Sequence, residues 1–85
     1  MEKTLKILNQ DGLHARPAAL FAKKAMEFKS SVKIRSEKGL ANAKSIMSLM
    51  SLGLEKDAEI TLIVEGEDAS AALTALESFL GAGSG

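Results

Sequence analysis

The sequence predicts an α+β fold with the element order βαββαβα, in which three helices cover one face of a small antiparallel sheet and the other face meets water. Three observations lead there. The spacing of apolar residues switches repeatedly between a period of two and a period near 3.6, the marks of half-buried strands and amphipathic helices. Glycine and small polar residues punctuate the switches. At 85 residues the chain has room for one domain with a single modest core, which two layers of secondary structure can enclose.

The first strand is expected in "TLKILN" (4–9), where Leu5 and Ile7 share one face and Lys6 takes the other. "GLH" follows as a loop. From Pro17 to Phe28 the apolar residues Ala18, Phe21, Ala22, Ala25 and Phe28 recur three and four apart, so the spacing predicts an amphipathic helix with Lys23, Lys24 and Glu27 on its wet side. "SVKIRSE" alternates again, Val32 and Ile34 inward, Lys33 and Arg35 outward, and "EKG" turns it into a short strand over 40–43 to close a hairpin. Ser45 is placed to cap a short second helix in "IMSLMSL", and Gly53 to stop it. "EITLIVEG" is the clearest strand, with Ile60, Leu62 and Val64 on the core face and Ile63 as an apolar exception on the outer one. Asp68 is expected to cap a last helix whose buried face holds Ala69, Ala72, Leu73, Leu76, Phe79 and Leu80, with Gly81 ending it. The domain is thus 1–80, and 81–85 reads as a flexible tail.

Composition removes several classes of function. Eleven basic and eleven acidic side chains balance to zero net charge, and no Trp or Tyr is present, so neither the basic excess nor the stacking platforms of nucleic-acid binders are found. Without cysteine there are no disulfides, thiolate metal sites or thiol catalysis. "MEKTLKILNQ" has no long apolar core or small-residue cleavage site, so no signal peptide, span or direct membrane insertion is expected, and the cytoplasm is the expected location. No cofactor and no metal are expected.

The chemistry concentrates in "GLHARPA" (12–18), which holds the chain's only histidine and only proline. A lone histidine is more often structural or merely exposed than catalytic. Its position changes the weighing. At a loop-to-helix junction the imidazole of His14 stands beside backbone N–H groups that lack an intrahelical partner, at the end of the helix dipole that favours an anion. Pro17 suits the first turn, where its missing N–H costs nothing, although it biases Arg16 away from helical geometry. Arg16 offers a planar fork of donors to a phosphoryl oxygen. A nucleophilic imidazole, an anion-favouring helix end and an arginine are the parts of a phosphoryl acceptor. There is no glycine-rich nucleotide loop and no Ser/His/Asp or Cys/His constellation, so the chain is not a kinase by itself. A covalent carrier needs only the acceptor and a docking surface.

"GLHARPAALFAKKA" with "AKSIMSLMSLGLEKDAEITL" resembles the histidine-containing phosphocarrier (HPr) family of the bacterial phosphoenolpyruvate-dependent sugar phosphotransferase system, over essentially the whole chain to Leu80. The resemblance implies an open-faced sandwich with sheet order 1-4-2-3. It implies that His14 is phosphorylated on Nδ1 by Enzyme I and passes the group to IIA domains of sugar permeases, with Arg16 assisting. It also matches Lys23 to a family lysine that meets acidic surfaces. On residues alone Ser45 is a plain helix cap. The resemblance adds a regulatory role, because in HPr of low-GC Gram-positive bacteria the serine of "KSIM" is phosphorylated by an HPr kinase/phosphorylase, and the modified form binds catabolite control protein A. "SIMSLMSLG" is closer to that group's "SIMGVMSLG" than to the enteric version. Ser48 replaces a glycine, and Asp57 stands where "KGAEI" is common.

Ile46, Met47 and Met50 cannot all face the core together with Leu49 and Leu52 on so short a helix, so an exposed apolar docking patch is expected there. A monomer is expected. Two other readings stand beside the sugar carrier: a carrier of the nitrogen-related phosphotransferase branch, which shares "HARP", and a nucleic-acid-binding α+β module, which shares the βαββαβ order but needs the exposed aromatics that this chain lacks.

Overall fold

In the computed structural model, which describes residues 1–8 and 10–81, the elements follow the expected order: β1 (Glu2–Lys6), α1 (Ala15–Ala25), β2 (Ser31–Ser36), β3 (Gly39–Asn42), α2 (Ile46–Ser51), β4 (Glu59–Glu65) and α3 (Ala69–Gly81). Every strand pairing is antiparallel and the sheet order is β1-β4-β2-β3. The strand latest in sequence therefore lies second in the sheet, between β1 and β2, which gives it a ladder on both sides. That placement explains why its alternation is the cleanest: Ile60, Leu62 and Val64 are all buried against the helical layer.

On the open face the exception is accounted for. Ile63 stands in register with Glu2 on one side and Lys33 on the other, and it is half-buried beneath those longer chains. Beside it the Thr4 and Thr61 hydroxyls meet at 2.9 Å across the strands. In the helical layer Phe21 is fully buried and meets Phe79 edge-on, with centroids 5.4 Å apart; such a pair adds about 0.5–1.5 kcal/mol beyond its buried area.

Several details differ from the sequence reading. β1 begins and ends earlier than "TLKILN"; Ile7 stays in the core but its N–H bonds Ala58 rather than a strand partner. Asn9 lies outside the described residues, as do 82–85, so most of the expected tail falls outside them too, while Gly81 still belongs to α3. The first helix starts at Ala15 with His14 as its cap, so Arg16 is helical although a proline follows it; packing of Ala18 and Phe21 overrides a local preference that is only a bias. That helix closes at Ala25. Three-residue turns from Glu27 to Lys24 and from Phe28 to Ala25 then carry Phe28 to the edge of the core.

The last difference is Asp68. Its carbonyl accepts from Ala72 as a capping residue's should, but its carboxylate reaches across the molecule, accepting from the Lys29 and Ser30 amides at 2.9 Å and from the Ser30 hydroxyl. Ser30 is buried, so this carboxylate satisfies polar groups that water cannot reach. The Ser30 hydroxyl, followed by the Lys29 amide, holds the Asp68 carboxyl at about 2, below its ordinary 3.8.

Candidate functional site

Leu13 is fully buried, and its N–H donates to the Leu54 carbonyl at 2.9 Å, so the residue before His14 is anchored from both its side chain and its backbone. Gly12 permits this. It has φ of +61°, and a Cβ there would lie 2.5 Å from the Leu54 oxygen and 2.6 Å from the Glu55 Cα, a contact between two backbones that no side-chain rotation could relieve. The segments 12–13 and 54–55 are thereby clamped together, and the residues that follow each of them share one shallow depression.

That depression is lined by Gln10, Asp11, His14, Arg16, Pro17, Glu55 and Lys56. His14 caps α1 with extended backbone, and its carbonyl takes the first helical bond from Ala18 at 2.8 Å. Its imidazole makes no capping bond. The third helical position, which normally donates an N–H to a capping side chain, is here Pro17 and has none to give. The ring is 55% exposed, with a Glu55 carboxylate oxygen 4.0 Å from Nε2, beside a helix end whose first amides lack intrahelical partners. Arg16 is exposed and makes no ion pair or side-chain hydrogen bond found among the described residues. An unspent base, an unspent guanidinium and a positive helix end on one surface can receive a dianionic group.

A family model described as the PTS HPr component phosphorylation site matches residues 1–82. The chain belongs to the HPr family. Among its relatives it is 45% identical over 80 residues to the HPr-like protein Crh of Halalkalibacterium halodurans, covering 94% of this chain and 95% of that protein. It is also similar to the crystal structure of a phosphocarrier protein HPr from Bacillus anthracis, with TM-score 0.91 and 40% identity over 94% and 95% of the two chains. A third similar structure is an HPr dimer from Thermoanaerobacter tengcongensis, with TM-score 0.77 and 41% identity over 100% and 98%. The HPr fold, with its open antiparallel sheet in the order 1-4-2-3 under three helices, is the fold of this chain.

The other residues singled out in the sequence lie outside the His14 depression. Ser45 caps α2, its hydroxyl accepting from the Ser48 N–H at 3.2 Å, and is half-buried. Leu49 and Leu52 are buried as expected, whereas Ile46, Met47 and Met50 are exposed, Met47 by 79%. α2 packs on α1, where Lys23 is exposed on the outer side. Leu20 and Met26 extend the exposed apolar surface of α1, and the sequence reading missed Leu20. The signal was there, because Leu20 falls off the stripe defined by Ala18, Phe21, Ala22 and Ala25. Glu55 and Lys56 were missed as well, and no periodicity could have found them, since a backbone clamp across the fold brings them to His14.

Proposed function

We propose that this HPr-family chain carries a phosphoryl group on Nδ1 of His14, receiving it from Enzyme I and passing it to IIA domains of sugar permeases in the cytoplasm. The observation that supports this most is the exposed imidazole at the start of α1, which makes no capping bond and shares a depression with Arg16, itself without an ion pair or side-chain hydrogen bond found among the described residues. Arg16 steadies the phosphoryl oxygens during transfer. Partners dock on the exposed Ile46, Met47 and Met50, whose flexible and polarisable side chains suit a surface that meets several proteins, while Lys23 supplies charge toward acidic partners. Phosphorylation of Ser45 by an HPr kinase/phosphorylase regulates that docking, and the modified form engages catabolite control protein A. Similarity to Crh of Bacillus subtilis, described as a catabolite repression HPr, favours a part in catabolite repression.

The three phenylalanines all pack on the helical side of the sheet, which supports a carrier over a nucleic-acid module. The protein works as a monomer; sedimentation equilibrium that gives twice the chain mass would overturn this, and an HPr dimer among the similar structures makes the measurement worth doing. The deciding experiment incubates the protein with phosphoenolpyruvate and Enzyme I of the sugar branch or of the nitrogen-related branch. Acid-labile, base-stable label is expected with the sugar-branch enzyme and none on His14→Ala. Label persisting on that variant rules out His14 as the acceptor, and preference for the other Enzyme I reassigns the branch.

A further inference from the structure

We propose that Glu55 is a positioning residue for His14, holding the imidazole proton on Nε2 so that Nδ1 presents its lone pair. This deepens the carrier reading and rests on it. The His14 Nε2 stands 4.0 Å from a Glu55 carboxylate oxygen, and no other carboxylate is found within ion-pair distance of the ring among the described residues. The closeness is built into the fold. The Gly12 backbone lies against Leu54 and Glu55 so tightly that a Cβ could not fit, and the Leu13 N–H bonds the Leu54 carbonyl at 2.9 Å. Glu55 is thus delivered to one edge of the ring by two backbone segments far apart in sequence. Its side chain is 77% exposed and has no other ion-pair partner among the described residues.

A neutral imidazole carries one proton on either of two nitrogens, and a carboxylate nearer to one of them favours the proton there. With Nε2–H held toward Glu55, the Nδ1 lone pair is the nucleophile. When it attacks a phosphohistidine or phosphoramidate donor, the Nδ1–P bond forms as the donor's N–P bond breaks, and the donor nitrogen keeps that electron pair. The His14 ring retains its Nε2 proton and becomes formally cationic, beside the Glu55 carboxylate. The same carboxylate therefore selects the attacking nitrogen and offsets the charge that develops on the ring, as an acid residue does for the histidine of a catalytic triad.

The test uses Glu55→Gln, which keeps size and polarity while removing the charge at an exposed position. Nitrogen NMR on the alkaline plateau, where the ring shifts no longer change with pH, reads the two neutral forms of His14 directly. The Nε2–H to Nδ1–H ratio is expected to fall about two- to tenfold in the variant, the range set by placing the proton about 4 or 6 Å from the carboxylate in a medium between water and a protein surface. Reaction with phosphoramidate, which needs no partner protein, should then yield a smaller share of the Nδ1-phosphorylated isomer. An unchanged ratio, or a changed ratio with an unchanged isomer share, overturns the proposal. If the ratio and isomer share move as expected and Enzyme I nevertheless leaves His14 unlabelled, the carrier reading fails while the hold of Glu55 on the ring stands.

Discussion

Two helix starts in this molecule use polar groups in opposite ways. At the start of α3, Asp68 spends its carboxylate on two backbone amides and the hydroxyl of a buried serine in another part of the chain. At the start of α1, the side chains of His14 and Arg16 make no hydrogen bond found among the described residues, and a proline occupies the third helical position, one of the two from which a capping amide comes. Hydrogen bonds completed inside the molecule contribute stability and remove the groups from chemistry; groups left unpaired at a positive helix end cost little in water and remain available to an anion. The contrast lets stability and transfer be broken separately.

Gly12→Ala breaks the support beneath the idle site and should have the largest effect. The added Cβ meets backbone atoms at 2.5 and 2.6 Å, so segments 12–13 and 54–55 must separate. A loss of about 3 kcal/mol is expected, a fall in Tm on the order of 15 °C for a domain of this size, with slower phosphorylation even well below the new Tm. A variant that melts normally shows that the clamp is not what holds the site.

Arg16→Ala should do the reverse. Loss of a charge-assisted contact worth about 1.5–3 kcal/mol slows transfer from Enzyme I by about 10- to 150-fold, while stability changes by no more than about 0.5 kcal/mol, because the side chain has no ion pair or hydrogen bond found among the described residues. Equal losses in both measurements would show that Arg16 belongs with the Asp68 kind of residue. Ser45→Asp should come next. Aspartate is as good a cap as serine, so melting stays close to normal, but a charge beside the exposed Ile46 and Met47 should slow transfer severalfold. A normal transfer rate removes Ser45 from control of docking.

The same contrast explains what was legible in the sequence. Element order was legible because each element buries one face and its period shows which. The strand order 1-4-2-3 came from family resemblance, since alternation says that a strand has a buried face and not which strand lies beside it. His14 and Arg16 could be singled out because they stand at a helix start, a feature of local sequence. Asp68 could be placed at a cap from its position, but its carboxylate answers to Ser30, 38 residues away in the chain. Glu55 reaches His14 only through the contact of Gly12 with residues 54–55. Local patterns reveal groups whose partners are local or absent, and they are silent about partners supplied by tertiary contact.

Acid should expose the spent carboxylate. The Asp68 pKa is lowered from 3.8 to about 2 on folding, so the unfolded chain binds the proton first. The stability contributed by that group is then complete above about pH 4 and is lost as pH falls through about 2. Thermal melts of wild type and Asp68→Asn between pH 6 and pH 2 should show the wild type more stable at the upper end, with the gap narrowing on acidification. A gap independent of pH would show that the carboxylate's charge is not what the Lys29–Ser30 turn depends on.

The smallest expected effect lies beside the His14 depression, at Asp57, the one non-glycine residue with positive φ among those described, at 73°. Its N–H donates to the Ile7 carbonyl at 2.7 Å while the next residue's carbonyl accepts from the Ile7 N–H at 3.0 Å, so two backbone bonds hold the turn in this conformation whatever the side chain. Aspartate tolerates the left-handed region better than most residues but still does so at a cost of about 1 kcal/mol, which glycine avoids. Glycine in turn gives the unfolded chain more freedom, which takes back about half of the gain. Asp57→Gly should therefore raise stability by about 0.5 kcal/mol, or Tm by about 2–4 °C, and leave phosphorylation at its normal rate. A lower Tm would mean that the aspartate side chain contributes to the turn in a way that its backbone bonds do not show.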